Sequence, residues 1–365
     1  MPLNCGIVGL PNVGKSTIFN ALTSAKAQAA NYPFCTIDPN VGVVTVPDER
    51  LDKIAAIVHP NRTVPTTMEF VDIAGLVAGA SKGEGLGNQF LGHIRNTDAV
   101  AHVVRCFDDP NVIHVAGAVN PLSDIDVINT ELLLADLETI EKRYAKVEKL
   151  ARNTSDSKVK AEASGLAKLL EAVQAGKPAR TVDLTDEETI AARDLHLITA
   201  KPMLYIANVD ESGLQGGNEW VAAVEKRAAE ENSQVVRICG AMEAEIALLD
   251  PPERAEFLAE MGLTEPGLNR LIRSAYRLLD LITYFTAGVQ EVRAWTIRRG
   301  TKAPGAAGVI HSDFERGFIR AEAYHCDDLF ALGSEQAVKE KGLYRSEGKE
   351  YVVRDGDILF FKFNV

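Results

Sequence analysis

The 365-residue sequence predicts an α/β fold: a mostly parallel sheet flanked by helices, broken by a helical insertion and followed by a small α+β module. Three observations predict it. Short β-branched runs alternate with helical patterns from Asn4 to about Val127, the pattern of βαβ units around a parallel sheet. Apolar residues then step by three and four through a long charged stretch. Near the C-terminus, short alternating segments separated by glycine turns return.

The strands of the first zone are Cys5–Leu10, Val41–Val46, Met68–Ile73 and Ala99–Cys106. Lys201–Ala207 and Gln234–Ile238 continue the same kind of strand after the interruption. Within the interruption, Leu133, Leu137, Ile140, Tyr144, Val147 and Ala151 share one helix seam, and Val159, Ala163, Leu166, Leu170 and Val173 share another. The polar break Asn153-Thr154-Ser155-Asp156-Ser157 joins them. Two narrow seams with charged flanks predict an antiparallel coiled-coil hairpin, each arm about 30 Å long. A helix at Leu268–Leu279 precedes strand-like Thr283–Phe285, Val292–Ile297 and Lys349–Asn364, with turns at Gly300, Gly305 and Asp355-Gly356. The expected boundaries are residues 1–280 for the first domain, with an insertion at 128–200, and 281–365 for the second.

With 46% hydrophobic residues the chain has material for real cores. A net charge of −12 argues against a protein that coats nucleic acid along its whole surface, while leaving room for a local basic patch. Met1–Cys5 shows no signal-peptide pattern, and no apolar run approaches the roughly 18 residues of a membrane helix. The five cysteines contain no CxxC pair and fit neither a zinc site nor a disulfide framework. A cytoplasmic, reduced protein without a membrane partner, acting as a monomer, is expected.

Gly9-Leu10-Pro11-Asn12-Val13-Gly14-Lys15-Ser16-Thr17 satisfies G-x-x-x-x-G-K-[ST] between a predicted strand and a predicted helix. Glycines let such a loop curl its N–H groups toward phosphate oxygens, and the helix adds its positive end. Asn12, Val13, Gly14, Lys15, Ser16 and Thr17 are therefore candidate nucleotide ligands, with Lys15 also expected to act in catalysis by bridging the β- and γ-phosphates. Ser16 would place its hydroxyl on Mg²⁺. Asp72 ends the strand Met68–Val71 and opens Asp72-Ile73-Ala74-Gly75, a D-x-x-G. Asp72 would hold Mg²⁺ through water, and the Gly75 amide would touch the γ-phosphate. Thr36, in Asn31-Tyr32-Pro33-Phe34-Cys35-Thr36, is the candidate second hydroxyl on the metal. Its neighbour Cys35 is a candidate oxidisable thiol, though an ordinary loop cysteine is the better account of it.

A guanine reader has the pattern N-K-x-D. The corresponding residues here are Asn208-Val209-Asp210-Glu211, with the lysine replaced by Val209 and the aspartate by the longer Glu211. Asp210 stands one position early and should point elsewhere. Adenine is then the better match, with Asn208, Val209 and Glu211 as candidate base-side residues, backbone groups near Asn208 and Val209 as contacts, and the Asn208 side chain steadying the loop.

With these residues in place the whole chain resembles the YchF, or Obg-like ATPase, family of translation-factor-class P-loop proteins. The resemblance is carried by GLPNVGKST, NYPFCTIDPN, DIAGLVAGASKGEGLGNQFL, NVDE, and EPGLNRLIR leading into TYFTAGVQEVRAWTI. It implies a P-loop NTPase G domain of the OBG type with a helical coiled-coil insertion and a C-terminal TGS domain. It also implies an ATPase that releases ADP and phosphate, and association with ribosomes (70S or large subunit) through rRNA or ribosomal protein. Asn12 resembles the asparagine that coordinates K⁺ in potassium-stimulated relatives of this class.

One position departs from the P-loop pattern at large. A glutamine after D-x-x-G usually orients the attacking water, and Leu76 stands there instead. Intrinsic turnover should be slow, as for a slow switch. His114, in the loop Phe107–Pro121, is the candidate replacement, favoured by the family resemblance. Between Lys142 and Arg180 ten basic residues face the four acids Glu148, Asp156, Glu162 and Glu171, and Lys142, Lys146 and Lys149 share a helix face. That face suits phosphates of structured RNA. A GTPase, or a ribosome-binding module with a structural nucleotide, remains open at this point.

Overall fold

The computed structural model describes residues 3–24, 40–74, 86–115 and 117–364. The chain begins β1 (Asn4–Val8), α1 (Lys15–Ser24), β2 (Val41–Thr45), α2 (Glu49–Val58), β3 (Thr63–Val64), β4 (Thr67–Asp72), α3 (Leu86–Arg95) and β5 (Ala99–Arg105). It continues with α4 (Pro121–Arg152), α5 (Ser157–Gln174), α6 (Asp186–Ala192), β6 (Met203–Asn208), α7 (Glu211–Gly216), α8 (Glu219–Glu230) and β7 (Gln234–Ile238). Then come α9 (Gly240–Ile246), α10 (Pro251–Glu260), α11 (Gly267–Leu278), β8 (Leu281–Ala287) and β9 (Val292–Arg298). The last elements are α12 (Ala303–Ile310), α13 (Ser312–Arg316), β10 (Phe318–His325), α14 (Cys326–Leu332), α15 (Glu335–Glu340), β11 (Arg345–Glu347) and β12 (Asp357–Phe363).

Two compact units divide the chain, one made of residues 1–43 and 69–275, the other of 44–68 and 276–365. The sheet of the first unit has the order β2-β4-β1-β5-β6-β7. Its central pairs, β1 with β4 and β5, β5 with β6, and β6 with β7, are parallel. Every residue of β5 and β6 is buried, as expected for strands covered on both faces. The carboxyl ends of β1, β4, β5, β6 and β7 therefore emerge along one edge, where open α/β sheets bind ligands.

The insertion differs from the hairpin expected at 128–200. α4 starts at Pro121, capped by the Asn120 side chain, and runs unbroken for 32 residues, about 48 Å. It starts early because Ile125, Ile128 and Leu132 extend its apolar pattern backward and are buried; α4 packs on β5 and α8 as well as on α5. α5 has 18 residues, so the arms are unequal. Ile140, Val147, Leu166, Leu169 and Val173 form the shared core, with Leu133, Leu137, Tyr144, Val159, Ala163 and Leu170 packed against it. Ala179, Ala192, Leu195 and Leu197 join the same core, so a third element around α6 closes one side of the pair. Glu188 completes the capping box of α6 and accepts hydrogen bonds from Lys168 and Ser164, 2.7 Å each, which hold its carboxyl down at about 2. Where the insertion returns to the sheet, buried Asp136 accepts from the Ile198 and Thr199 amides and the Thr199 hydroxyl.

The second unit is not confined to 281–365. Its mixed sheet, β11-β10-β12-β8-β9-β3, takes its edge strand β3 from residues 63–64, paired in parallel with β9. Leu51 and Ile54 of α2 bury against Phe285, Val292, Tyr324 and Leu329 on one face. α12 covers the other face with Ala303, Ala306 and Ala307 over Tyr284, Ala321 and Phe361. Among the described residues no helix is long and apolar enough to cross a membrane.

Candidate nucleotide-binding site

A cavity of about 1150 Å³ opens at the carboxyl edge of the parallel sheet. The loop between β1 and α1 forms its floor. Asn12 takes a left-handed backbone, with φ 62°, and Gly14 has φ 90°. A Cβ on Gly14 would lie 2.1 Å from Asn208 Nδ2, and one on Gly9 2.9 Å from the Val103 carbonyl. Both glycines are therefore demanded by packing, and Gly14 by its backbone as well.

Lys15, Ser16, Thr17, Asn12 and Gly14 line this cavity together with Asp72 from the end of β4. Lys15 is 9% exposed and its ammonium contacts the Asp72 carboxylate. Two candidate ligands, Thr36 and Gly75, lie outside the described residues, as do Cys35 and Leu76. The four described cysteines are buried, and burial pushes the Cys5 and Cys106 thiols up to about 12.

The far wall is built from the ends of β6 and β7. Asn208 is 4% exposed, and its side chain donates to the Val13 carbonyl at 2.8 Å and accepts from the Gly240 amide at 2.9 Å. It ties the phosphate loop to the start of α9. Val209, Glu211, Cys239 and Ala241 line the wall beside it. The Val209 amide bonds to the Ile238 carbonyl, and the Asn208 carbonyl accepts from Cys106, so these two backbone groups already serve the sheet. Asp210 turns onto its own helix, capping α7 through the Gly213 amide at 2.8 Å and accepting from the Ser212 hydroxyl.

Phe107, Asp108, Asp109, Pro110 and Val112 supply the remaining side. Arg105, 1% exposed at the end of β5, fans its guanidinium onto the carbonyls of Phe107 (3.1 Å), Val112 (2.9 Å), Asp109 (3.4 Å) and Asn12 (3.5 Å). It binds this loop to the phosphate loop. His114 is not among the cavity residues. It is 5% exposed, with Nε2 2.9 Å from Asp124 in the first turn of α4. Burial pushes the Asp124 carboxyl up, against the opposing pull of His114 and Arg105.

Two family models match the chain. One, described as a 50S ribosome-binding GTPase, covers residues 4–209; a YchF-GTPase C-terminal model, described as a protein of unknown function, covers 281–364. The ribosome-binding ATPase YchF of Bacillus subtilis (strain 168) is 58% identical over 367 residues, spanning 100% of both chains. The chain belongs to the YchF family. The ribosome-binding ATPase YchF of Escherichia coli O157:H7 is 59% identical over 365 residues, again spanning 100% of both. The solved structure of the Schizosaccharomyces pombe YchF GTPase matches with TM-score 0.89 and 40% identity, over 99% of this chain and 97% of that one. A GTP-binding protein of Pyrococcus horikoshii, at 18% identity and TM-score 0.63 over 99% of this chain and 100% of that one, shares the fold. Within this YchF chain, Arg105 and Asp124 match no motif. The one signal for Arg105 is a charged residue closing the apolar run Ala99–Val104.

Proposed function

We propose that this chain is a Mg²⁺-dependent ATPase that cleaves ATP to ADP and phosphate and works as a slow nucleotide switch on ribosomes. The observation that carries the reading is the convergence of Lys15, Ser16 and Asp72 on one cavity whose far wall lacks a guanine reader. The bacterial relatives, named as ribosome-binding ATPases, point the same way.

The donor set suits Mg²⁺: a hydroxyl at Ser16 and a carboxylate at Asp72 are hard oxygen ligands facing one space. Thr36 is the proposed second hydroxyl. Ser16, Asp72 and Thr36 would hold the ion, which would supply positive charge beside the phosphates, and Lys15 would then turn from Asp72 toward the β- and γ-phosphates. Gly75 is the proposed γ-phosphate amide, and His114 the group that orients water in place of Leu76. Asn12 donates through Nδ2 to the Ile113 carbonyl at 3.1 Å, which leaves Oδ1 as the side proposed for K⁺.

With Asp210 Oδ1 capping α7, Val209 in place of the lysine and the longer Glu211 in place of the aspartate, the guanine-reading pair is missing, which favours adenine. ATP is expected to bind more tightly than GTP by about tenfold or more, the value of one charge-assisted hydrogen bond. Titration calorimetry with both nucleotides tests this, and equal or tighter GTP binding would overturn it.

For the ribosome, the hairpin is the proposed RNA contact, with the C-terminal unit, read as a TGS domain, as second candidate. Lys142 pairs with Glu138, Arg143 with Glu162 and Arg152 with Glu148, whereas Lys146 and Lys149 have no ion pair among the described residues. Exposed pairs of this kind are weak, so Lys142 remains able to exchange Glu138 for a phosphate. The triple change Lys142→Glu, Lys146→Glu, Lys149→Glu should lower ribosome affinity about tenfold and flatten its salt dependence, with ATP hydrolysis in free solution unchanged. Co-sedimentation at two salt concentrations checks it; undiminished binding would shift the contact to the C-terminal unit. A ribosomal partner also makes the cytoplasm the expected location.

A further inference from the structure

The segment from Phe107 to His114 is tied to the phosphate loop at several points. Arg105 holds the carbonyls of Phe107, Asp109 and Val112 while also reaching that of Asn12. The Asn12 side chain in turn donates to the carbonyl of Ile113. The residue immediately after this contact, His114, thus starts within a side chain's length of the phosphate loop. Its imidazole nevertheless points the other way.

The backbone around it is at the surface. Ile113 is 79% exposed and Val115 57%, while the His114 side chain between them is turned inward to Asp124. The turn closes with the Gly117 amide donating to the His114 carbonyl at 2.9 Å. Gly117 has φ 82°, and a Cβ there would meet nothing within 4 Å. On the other side, Asp124 is fixed by the capped, proline-led start of α4 and is 2% exposed. One partner of the pair sits on a rigid helix and the other on a surface turn.

We propose that Asp124 is a positioning residue that holds His114 inward, away from the phosphates, and that turnover requires this pair to open. The proposal rests on the ATPase reading and on His114 as the group that acts on the attacking water. A carboxylate paired to an imidazole in a buried setting makes a strong hydrogen bond, and an amide in its place makes a weaker one. Weakening the pair raises the fraction of molecules with His114 released, and kcat rises with that fraction while the nucleotide contacts stay as they were.

The test compares wild type, Asp124→Asn, His114→Ala and the double variant, in steady-state phosphate release and in amide hydrogen exchange. Asp124→Asn is nearly isosteric, and a thermal melt close to wild type verifies its fold. We expect its kcat to rise about three- to tenfold with KM for ATP unchanged. The double variant should match His114→Ala, because the gain passes through that imidazole. Exchange at the amides of residues 113–117 should quicken in Asp124→Asn, whether or not His114 is catalytic. If kcat of Asp124→Asn is unchanged, or falls toward that of His114→Ala, the restraint is refuted; in the second case Asp124 would instead orient His114 for catalysis. A gain that persists in the double variant also refutes it. Normal turnover in His114→Ala with faster exchange in Asp124→Asn would sink the catalytic reading of His114 and leave the physical tether standing.

Discussion

Lys15→Ala is expected to lower phosphate release by about 10²- to 10³-fold, the usual cost of deleting one preorganised charge-stabilising donor. Lys15 opens α1, so its position relative to the loop amides is set by the helix itself. Its side chain is 10% exposed, in contact with the carboxylate of Asp72, itself 21% exposed. A buried ammonium in a cavity shared with a carboxylate is a poor way to stabilise a fold but a good way to meet a triphosphate. Removing it leaves Asp72 partly reached by water, so the thermal midpoint should fall by only a few degrees. Ribosome co-sedimentation should persist, since the proposed contact is on the insertion. Single-turnover phosphate release with wild type and variant makes the comparison. Near-normal release by Lys15→Ala would mean that the cavity holds nucleotide without cleaving it, and the structural-nucleotide reading would take its place.

The features easiest to foresee are those whose physics is local. A phosphate loop needs glycines, a lysine and a hydroxyl within nine consecutive residues, and a strand on one side with a helix on the other; all of that is visible as a string. The strands β5 and β6 are equally plain, because burial on both faces demands unbroken apolar runs. The replacement of the guanine reader is also local; Asp210 still lines the cavity, with its Oδ1 taken up in capping α7.

Features that depend on distant partners are harder. The edge strand Thr63–Val64 joins β9 more than two hundred residues later, and α2 buries Leu51 and Ile54 in the same unit. Nothing in residues 44–68 alone distinguishes them from another βαβ connection. The start of α4 is similar: the seam reads as a hairpin from Leu133 onward, but Ile125 and Ile128 are buried outside the core that α4 shares with α5, so a single seam underestimates the helix. His114 stands out as an isolated loop histidine, whereas its tether Asp124 looks like any acidic residue in a first helical turn. Arg105 is meaningful only through four carbonyls that the fold brings around it.

The second large effect is expected from Gly14→Ala. Two separate costs converge there. At φ 90° an alanine is strained by about 1–3 kcal/mol. Its Cβ would also stand 2.1 Å from Asn208 Nδ2, so Asn208 must leave the Val13 carbonyl and the Gly240 amide that it now bridges. Each of those groups is then left short of a buried hydrogen bond, which adds about 1–3 kcal/mol. The sum is a sizeable part of the stability of an ordinary domain. Because the phosphate loop and the start of α9 both lean on Asn208, nucleotide affinity should fall by at least about a hundredfold, the equivalent of 2.7 kcal/mol. Asn208→Ala alone removes the bridge without the strain and should cost less. Two residues in contact do not add: in the Asn208→Ala background the clash is gone, and Gly14→Ala should cost only its backbone term. Thermal and chemical unfolding of the four proteins gives that coupling directly. Costs that simply add would show that the loop relaxes away from Asn208, and that the contact between them is not what keeps residue 14 a glycine.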